Sequence, residues 1–572
     1  MKRQYIGITV VILACMCIAT VPFLYLYWIT GSFLPGVMPQ LQSDILYYLV
    51  QIDEVLSGRW LLGNPYFMEY GHLRSPAILL PIWIAAIPGL FGLPINVLFL
   101  VNAYLYSVLT GILFYVLLYR CSKGNVMVAT ALSIIGTAYC YDFILRPAIM
   151  QVVYPVFLMF LITFLLYLEK PHNWPIKILL AFTTALSFYT YLYVWMIAFT
   201  MLGLILCWDA AHRRYKLIRN HSHVIILALI LCGPQIYIML ADASNPMFQE
   251  LTARTGLISS HLIRPLTLLN LKYIFATSIV LSLLYRKKDM PKSAILILLV
   301  SMGIIISACS NLITGIELDL PTHPWRLSLI ITPIATACFL LTATKEKRGV
   351  WEKLLAIGMV MLLLGTLFTR IIISNNSFHY FRDPAERTET YKSIQQYKSA
   401  LDFLNTMEPK RQVVLTVGLL GSYIPLYTDH TLLFHGTGRF NVIPTEELQE
   451  RFLMNYVDHI TEDFLTDIVN IRDLVGNGPL QKQQYENVCE ALPFCKSDGI
   501  KTPLERVGGQ EFIQKFMKRS QTVSHEYKEL LKKFNVSLIA IDKENMYPPR
   551  MPDNAERIYS DQRVEIWQLK VE

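Results

Sequence analysis

Residues 6–28 read IGITVVILACMCIATVPFLYLYW, a run without Asp, Glu, Lys or Arg that closely follows Lys2-Arg3. About 20 consecutive apolar residues cross the ~30 Å hydrocarbon core of a bilayer as a helix. The stretch therefore reads as a membrane span whose basic flank lies in the cytoplasm. Its length, and the lack of a small-x-small pattern before Gly31, argue for a retained span and against a cleaved signal peptide. Working outward, similar runs recur at about 95–119, 126–145, 152–168, 176–190, 191–208, 222–240, 268–285, 293–312, 327–343 and 351–372, so eleven spans are expected. The two meeting at 190/191 share one apolar run, and length alone divides them.

Composition supports this reading and sets its limit. Of 572 residues, 54% are hydrophobic and 16% charged, against about 25% charged in soluble globular proteins. Residues 1–372 hold 26 Lys and Arg against 14 Asp and Glu, while the rest hold 24 against 28. This predicts a basic transmembrane domain over 1–372 and a soluble domain over 373–572. The basic residues cluster at Lys2/Arg3, Arg120/Lys123, Lys170/Lys177, Arg213/Arg214/Lys216/Arg219, Arg286/Lys287/Lys288/Lys292 and Lys345/Lys347/Arg348/Lys353. All fall on one side if the N-terminus is cytoplasmic, and an odd number of spans then places the C-terminal domain outside. Positive charge confined to such loops sets membrane orientation and does not point to nucleic acid. Residues 77–92 are apolar but broken by Pro81 and Pro88. They read as an interfacial or re-entrant piece, tolerable where protein or a wet cavity satisfies the freed backbone groups. The long segments 29–94, 241–267 and 313–326 then face outward with the C-terminal domain, and any chemistry belongs on that face.

In the last region, Ile394, Tyr397, Leu401 and Leu404 share a face of a helix expected over Tyr391–Met407. Short β-branched runs follow at 413–417, 431–434, 536–541 and 564–567, and strands alternating with helices suggest an α/β sandwich. Gly418, Gly421, Gly436 and Gly438 fit neither GxxxxGK[ST] nor GxGxxG and read as turns. Cys489 and Cys495 are the only cysteines of this region, and an exported location favours a disulfide between them.

Candidate chemistry gathers in the outer segments. Asp44 precedes the apolar face Ile45, Leu49, Ile52 and Leu56 of an amphipathic helix that would lie along the membrane. A carboxylate held at that depth can accept a proton from an attacking hydroxyl, though Asp before an apolar run is also an ordinary helix cap. Tyr48, Glu69 and His72 on the same loop are candidates for a substrate pocket. Asp142 and Arg146 stand four apart, which is either an ion pair along a helix or a site at a membrane boundary, where charge is costly. His323 and Arg326 flank Trp325 at the outer edge of the tenth span. A guanidinium there can grip a phosphate through two parallel hydrogen bonds, and interfacial anchoring is the alternative. Arg146 and Arg74 could assist. No HExxH, CxxC or clustered His pair appears outside the membrane, so no metal site is assigned; a divalent cation is the one cofactor left open, with Glu69 and His72 as its two candidate ligands. GxSxG is also missing, leaving no serine nucleophile of the hydrolase type.

The order and placement of Ser43-Asp44 after the first span, Asp142 before Arg146-Pro147, and His323-Pro-Trp-Arg326 late in the chain resemble the GT-C superfamily. These are integral-membrane glycosyltransferases that use polyprenyl-phosphate sugars, among them protein O-mannosyltransferases and the lipid A aminoarabinose transferase. The resemblance implies a GT-C-like helical membrane domain with a C-terminal extracytoplasmic α/β domain, and catalysis by Asp44 and Asp142. It also implies a donor-phosphate site at Arg326 and His323, a polyprenyl-phosphate-linked sugar as donor, and a lipid or glycan acceptor. The run Gly58…Asn64-Pro65-Tyr66…Glu69 resembles bacterial members, which implies a bacterial inner or cell membrane. Two departures are visible: Ser43-Asp44 stands where many members pair two acidic residues, and no WWDxG motif occurs. A flippase or transporter would need polar groups deep within several spans, and these spans are almost free of ionisable residues. A non-catalytic scaffold is the other alternative.

Overall fold

All eleven apolar stretches carry helices in the computed structural model, which describes residues 2–41, 44–75, 79–256, 258–259, 261, 265–285, 290–317, 323–346, 348–369, 384–490 and 501–570. In chain order the helices are α1 (Lys2–Thr30), α2 (Ile45–Leu56), α3 (Leu80–Ala86), α4 (Ile95–Cys121), α5 (Val126–Ile144), α6 (Ile149–Glu169), α7 (Trp174–Phe188), α8 (Leu192–Ala211), α9 (Tyr215–Ala243), α10 (Pro246–Thr255), α11 (Pro265–Leu284), α12 (Lys292–Ala308), α13 (Asn311–Thr314), α14 (His323–Ala343) and α15 (Val350–Phe368). Among the described residues, seven are long and apolar enough to cross a membrane: α1, α4, α6, α8, α9, α14 and α15. The other apolar helices are shorter there, so seven rather than eleven meet both conditions. α7 shows why: the shared run divides at Tyr189–Tyr191, leaving 15 residues, or about 22 Å at 1.5 Å per residue. The chain is a multi-pass membrane protein.

The stretch broken by Pro81 and Pro88 forms α3 and a 3-10 turn over Ile87–Phe91. Its freed carbonyls are met by protein: Asn102 Nδ2 donates to Ala85 O at 2.8 Å and Tyr106 Oη to Ile84 O at 3.4 Å. This is the condition on which non-spanning backbone is tolerated at membrane depth.

The basic loops gather at one end of the bundle. Gln4 bonds to Tyr119 near the end of α4, Arg120 pairs with Glu169 at 3.1 Å, and Lys177 Nζ donates to Asn220 at 3.3 Å. At the same end Arg348 donates to the Leu284 carbonyl at 2.7 Å. Residues 384–570 pack on the opposite end. Gln395 exchanges two hydrogen bonds with the Val37 backbone, at 2.7 and 3.1 Å. Tyr427 Oη accepts from Met38 N and donates to Asn96 Oδ1, both at 2.7 Å, and Leu432 N donates to Tyr66 O at 2.8 Å. From α10, the guanidinium of Arg254, 2% exposed, donates to the Arg439 and Asn441 carbonyls and to Thr445 Oγ1. Just beyond α10, β1 (Ile258–Ser259) pairs antiparallel with β2 (Ile316–Glu317) on the approach to α14.

The C-terminal region opens with α16 (Pro384–Gln395) and α17 (Lys398–Thr406), two helices where one was expected, with the break at Gln396–Tyr397. Ile394, Tyr397, Leu401 and Leu404 are all buried as the shared face requires. Then come β3 (Val413–Thr416), α18 (Leu420–Tyr427), β4 (Thr431–Leu432), α19 (Thr445–Asn455), six further helices from Glu462–Thr466 to Tyr527–Lys533, and β5 (Val536–Asp542), β6 (Ala555–Ser560) and β7 (Val564–Leu569). The sheet order is β4-β3-β5-β7-β6; β3 runs parallel to β4 and β5, and the β5–β7 and β7–β6 pairs are antiparallel. The four expected strands are present and β6 is added. β6 is an edge strand that is mostly half-exposed or exposed, so AERIYS lacks the apolar run that marked the others. Cys489 is disulfide-bonded; Cys495 and the expected domain boundary at 372/373 lie outside the described residues.

Candidate active site

α2 carries the first component. Ile45, Leu49 and Ile52 are fully buried along its apolar face. Asp44 occupies the N-cap position in the left-handed region (φ 65°), yet its side chain makes no capping hydrogen bond. Its carboxylate instead forms an ion pair with Arg146, so capping does not account for this residue. Arg146 lies in the short link between α5 and α6, where Pro147 cannot continue the helix. Its side chain is 9% exposed against 52% for Asp44, and the guanidinium stands over the Tyr48 ring at 5.6 Å. Burial pushes the Tyr48 phenol up, with Arg146 pulling the other way.

The late part of the chain reaches the same place. His323 opens α14 with its ring 6.2 Å from Tyr191 and 5.8 Å from Tyr193, edge-on to the latter. Tyr154 Oη donates to the Arg326 carbonyl at 3.3 Å. Arg326 interacts electrostatically with Arg146, Tyr191, Tyr154 and Tyr48, and His323 with Arg326 and Arg146. Segments far apart in sequence thus form one cluster of Asp44, Tyr48, Arg146, His323 and Arg326, ringed by Tyr154, Tyr191 and Tyr193. Two cationic groups beside one half-exposed carboxylate suit a site that receives an anion. Asp142 belongs to α5, and its side chain lies outside the described residues.

Three other candidates are placed elsewhere. Glu69 pairs at 2.8 Å with Arg451, a fully buried arginine that also holds Glu447 and lies over the Phe67 and Phe534 rings at 5.0 and 4.2 Å. Arg74 pairs with Asp242 at the end of α9 at 2.8 Å. His72 is exposed. Glu69 and Arg74 thus hold the first outer segment to its neighbours. With Glu69 engaged by Arg451, the Glu69–His72 pair does not fit a divalent cation, and among the described residues no three His, Cys, Asp or Glu come together to hold a metal. The three tyrosines escaped sequence reading because aromatic residues are common in apolar runs. The seam at 190/191 was the available signal, since Tyr191 and Tyr193 sit where one run divides.

No protein-family model matches the chain, and no curated protein sequence matches it. Among solved structures, the chain is similar to the crystal structure of ArnT from Cupriavidus metallidurans in the apo state, with a TM-score of 0.41 and 14% identity over 77% of this chain and 90% of that one. It is also similar to the same protein bound to undecaprenyl phosphate, with a TM-score of 0.35 and 16% identity over 75% of this chain and 85% of that one.

Proposed function

We propose that the chain is a membrane glycosyltransferase that moves a sugar from a polyprenyl-phosphate donor to an acceptor hydroxyl on the outer face, with inversion. The carrying observation is that Asp44, Arg146 and Arg326, drawn from distant parts of the sequence, meet at the bundle end opposite the basic loops. Positive loops mark the cytoplasmic side, which puts this cluster and the C-terminal region outside. The order of these residues along the chain is also what underlies the GT-C resemblance.

In this reading the donor phosphate settles between Arg326 and Arg146. Its oxygens compete with Asp44 for the Arg146 guanidinium and free the carboxylate to face the acceptor. The acceptor oxygen attacks the anomeric carbon while its proton passes to Asp44. The sugar–phosphate bond breaks, and the electron pair leaves with the polyprenyl phosphate, whose growing charge the arginines stabilise. A single displacement inverts the anomeric centre. Asp142 is the second catalytic candidate, and residues 1–372 and 373–572 are the membrane and outer domains.

Asp44→Asn tests this. In purified chain reconstituted with an undecaprenyl-phosphate sugar, transfer should fall by about 10²–10⁴, the usual worth of a positioned base, while undecaprenyl phosphate still binds. Unchanged transfer would remove Asp44 from the role of base, and absence of transfer by the wild-type chain would leave the scaffold reading standing.

A further inference from the structure

α2 has a second stripe that the donor site only half uses. Asp44, Tyr47, Tyr48 and Gln51 recur at i, i+3, i+4 and i+7, the spacing that aligns side chains along one face of a helix. Tyr48 turns to Arg146. Tyr47 stands 5.2 Å from it, ring to ring at 63°, with its hydroxyl beside the Gln51 amide and Asp44 near enough to act on it. Gln51 is 1% exposed, and apart from the Tyr47 hydroxyl its amide has no polar partner among the described residues. A buried amide with an end unmet costs stability unless something else fills that bond.

The C-terminal region supplies the facing wall. Tyr66, which interacts electrostatically with both Tyr47 and Asp44, bonds to the Thr437 side chain. Its ring stacks on His435 at 4.7 Å and 8°. His435 accepts from Thr437 N at 3.2 Å through Nδ1, and its Nε2 lies 3.1 Å from Ser422 Oγ. Burial, reinforced by Arg439, pushes the His435 pKa down to about 4, so the ring is neutral at physiological pH. The guanidinium of Arg439 is itself committed to Asp473 and the Gly436 carbonyl. On the side of Asp44 away from Arg146 and Arg326, the walls among the described residues are thus aromatic, hydroxyl and amide groups.

We infer that Tyr47, Gln51, Tyr66, His435 and Thr437 form an acceptor subsite adjoining Asp44, and that its ligand is an uncharged glycan. The inference rests on the proposed role of Asp44 as acceptor base. An amide offers one donor side and one acceptor side, which suits neighbouring sugar hydroxyls, and aromatic rings supply the apolar contact that a sugar's C–H face needs. Among the described residues, this wall offers an anionic acceptor no cation beyond the Arg146–Arg326 pair assigned to the donor phosphate. The stripe on α2 joins this subsite to the arginine cluster, so acceptor and donor would meet at Asp44 from opposite sides.

The test uses the full chain in lipid nanodiscs and ligand-observed NMR. The probes are neutral trisaccharides, their uronic-acid counterparts and a Ser/Thr-rich peptide, with undecaprenyl phosphate titrated in parallel. Neutral trisaccharides should bind, Gln51→Leu should weaken them at least tenfold, and Tyr47→Phe, which removes one hydroxyl atom, should weaken them severalfold with the melting temperature unchanged. Affinity for undecaprenyl phosphate should stay within twofold in both variants. The inference is overturned if no neutral sugar binds, if uronic acids or the peptide bind better, if the variants bind sugars like the wild type, or if both variants lose undecaprenyl phosphate as well. Failure of the donor reading shows separately: Arg326→Ala would then retain undecaprenyl phosphate while the sugar results remain as expected.

Discussion

Arg326 is the residue at which the proposed chemistry and simple membrane anchoring part company. Lysine keeps the charge but loses the planar fork that meets two phosphate oxygens at once, and a group aimed at the leaving phosphate counts most in the transition state. Arg326→Lys should therefore lower turnover by one or more powers of ten, about 1.4 kcal/mol for each, with normal membrane insertion. Arg326→Ala should fall further and also bind undecaprenyl phosphate more weakly. Normal turnover per folded molecule in both variants would return Arg326 to the role of an anchor. At this scale the sequence was informative where charge is rare: Asp44, Arg146, His323 and Arg326 stand out in a chain so poor in ionised groups, and they do come together. Glu69 and Arg74 stood out equally, yet their partners, Arg451 and Asp242, lie far away in sequence. Nothing local tells which distant arginine a carboxylate will meet.

α2 shows how an element can carry a titration as well as a site. Asp53, near its C-terminal end, is pushed up to about 7, chiefly by burial and then by Glu54, with Arg59 opposing and Asp429 adding to the rise. The folded protein therefore holds this proton more tightly than the unfolded chain, whose Asp titrates near 4. Stability from this group is complete below about pH 4 and is lost as pH rises through about 7. Thermal unfolding followed from pH 5 to 8 should show that decline, and Asp53→Asn should flatten it; a variant with the wild-type slope would mean that another group is responsible. The helix itself was legible from Ile45, Leu49, Ile52 and Leu56. Its burial on further faces, through Leu46, Val50 and Val55, was not, because α18, some 370 residues later in the chain, joins α3 in covering the helix. The gap between α16 and α17 was hidden for a related reason: the apolar period continues unbroken across it, and only the backbone turns.

For the whole molecule, the periodic apolar runs and the asymmetric placement of Lys and Arg made the architecture readable, since bilayer thickness and loop charge act on composition directly. The number of full spans was harder, because an apolar helix of 15 residues and one of 20 look alike in a continuous run. Orientation is open to direct measurement. A fusion after Glu572 to a reporter active only outside the cytoplasm should be active, and activity from a strictly cytoplasmic reporter at that position would reverse the assignment. The grip on the C-terminal region has one more consequence. Val37, Tyr66 and Glu69 hold it from the first outer segment while Arg254 holds it from α10, so its seat is defined by contacts that do not involve the end of α15. Peptide continuity between Phe368 and Pro384 is then a convenience of synthesis rather than a condition of assembly. A gene cut between those residues, with an export signal added to the second piece, should yield two polypeptides that find each other at the outer face, co-purify and melt together as one protein.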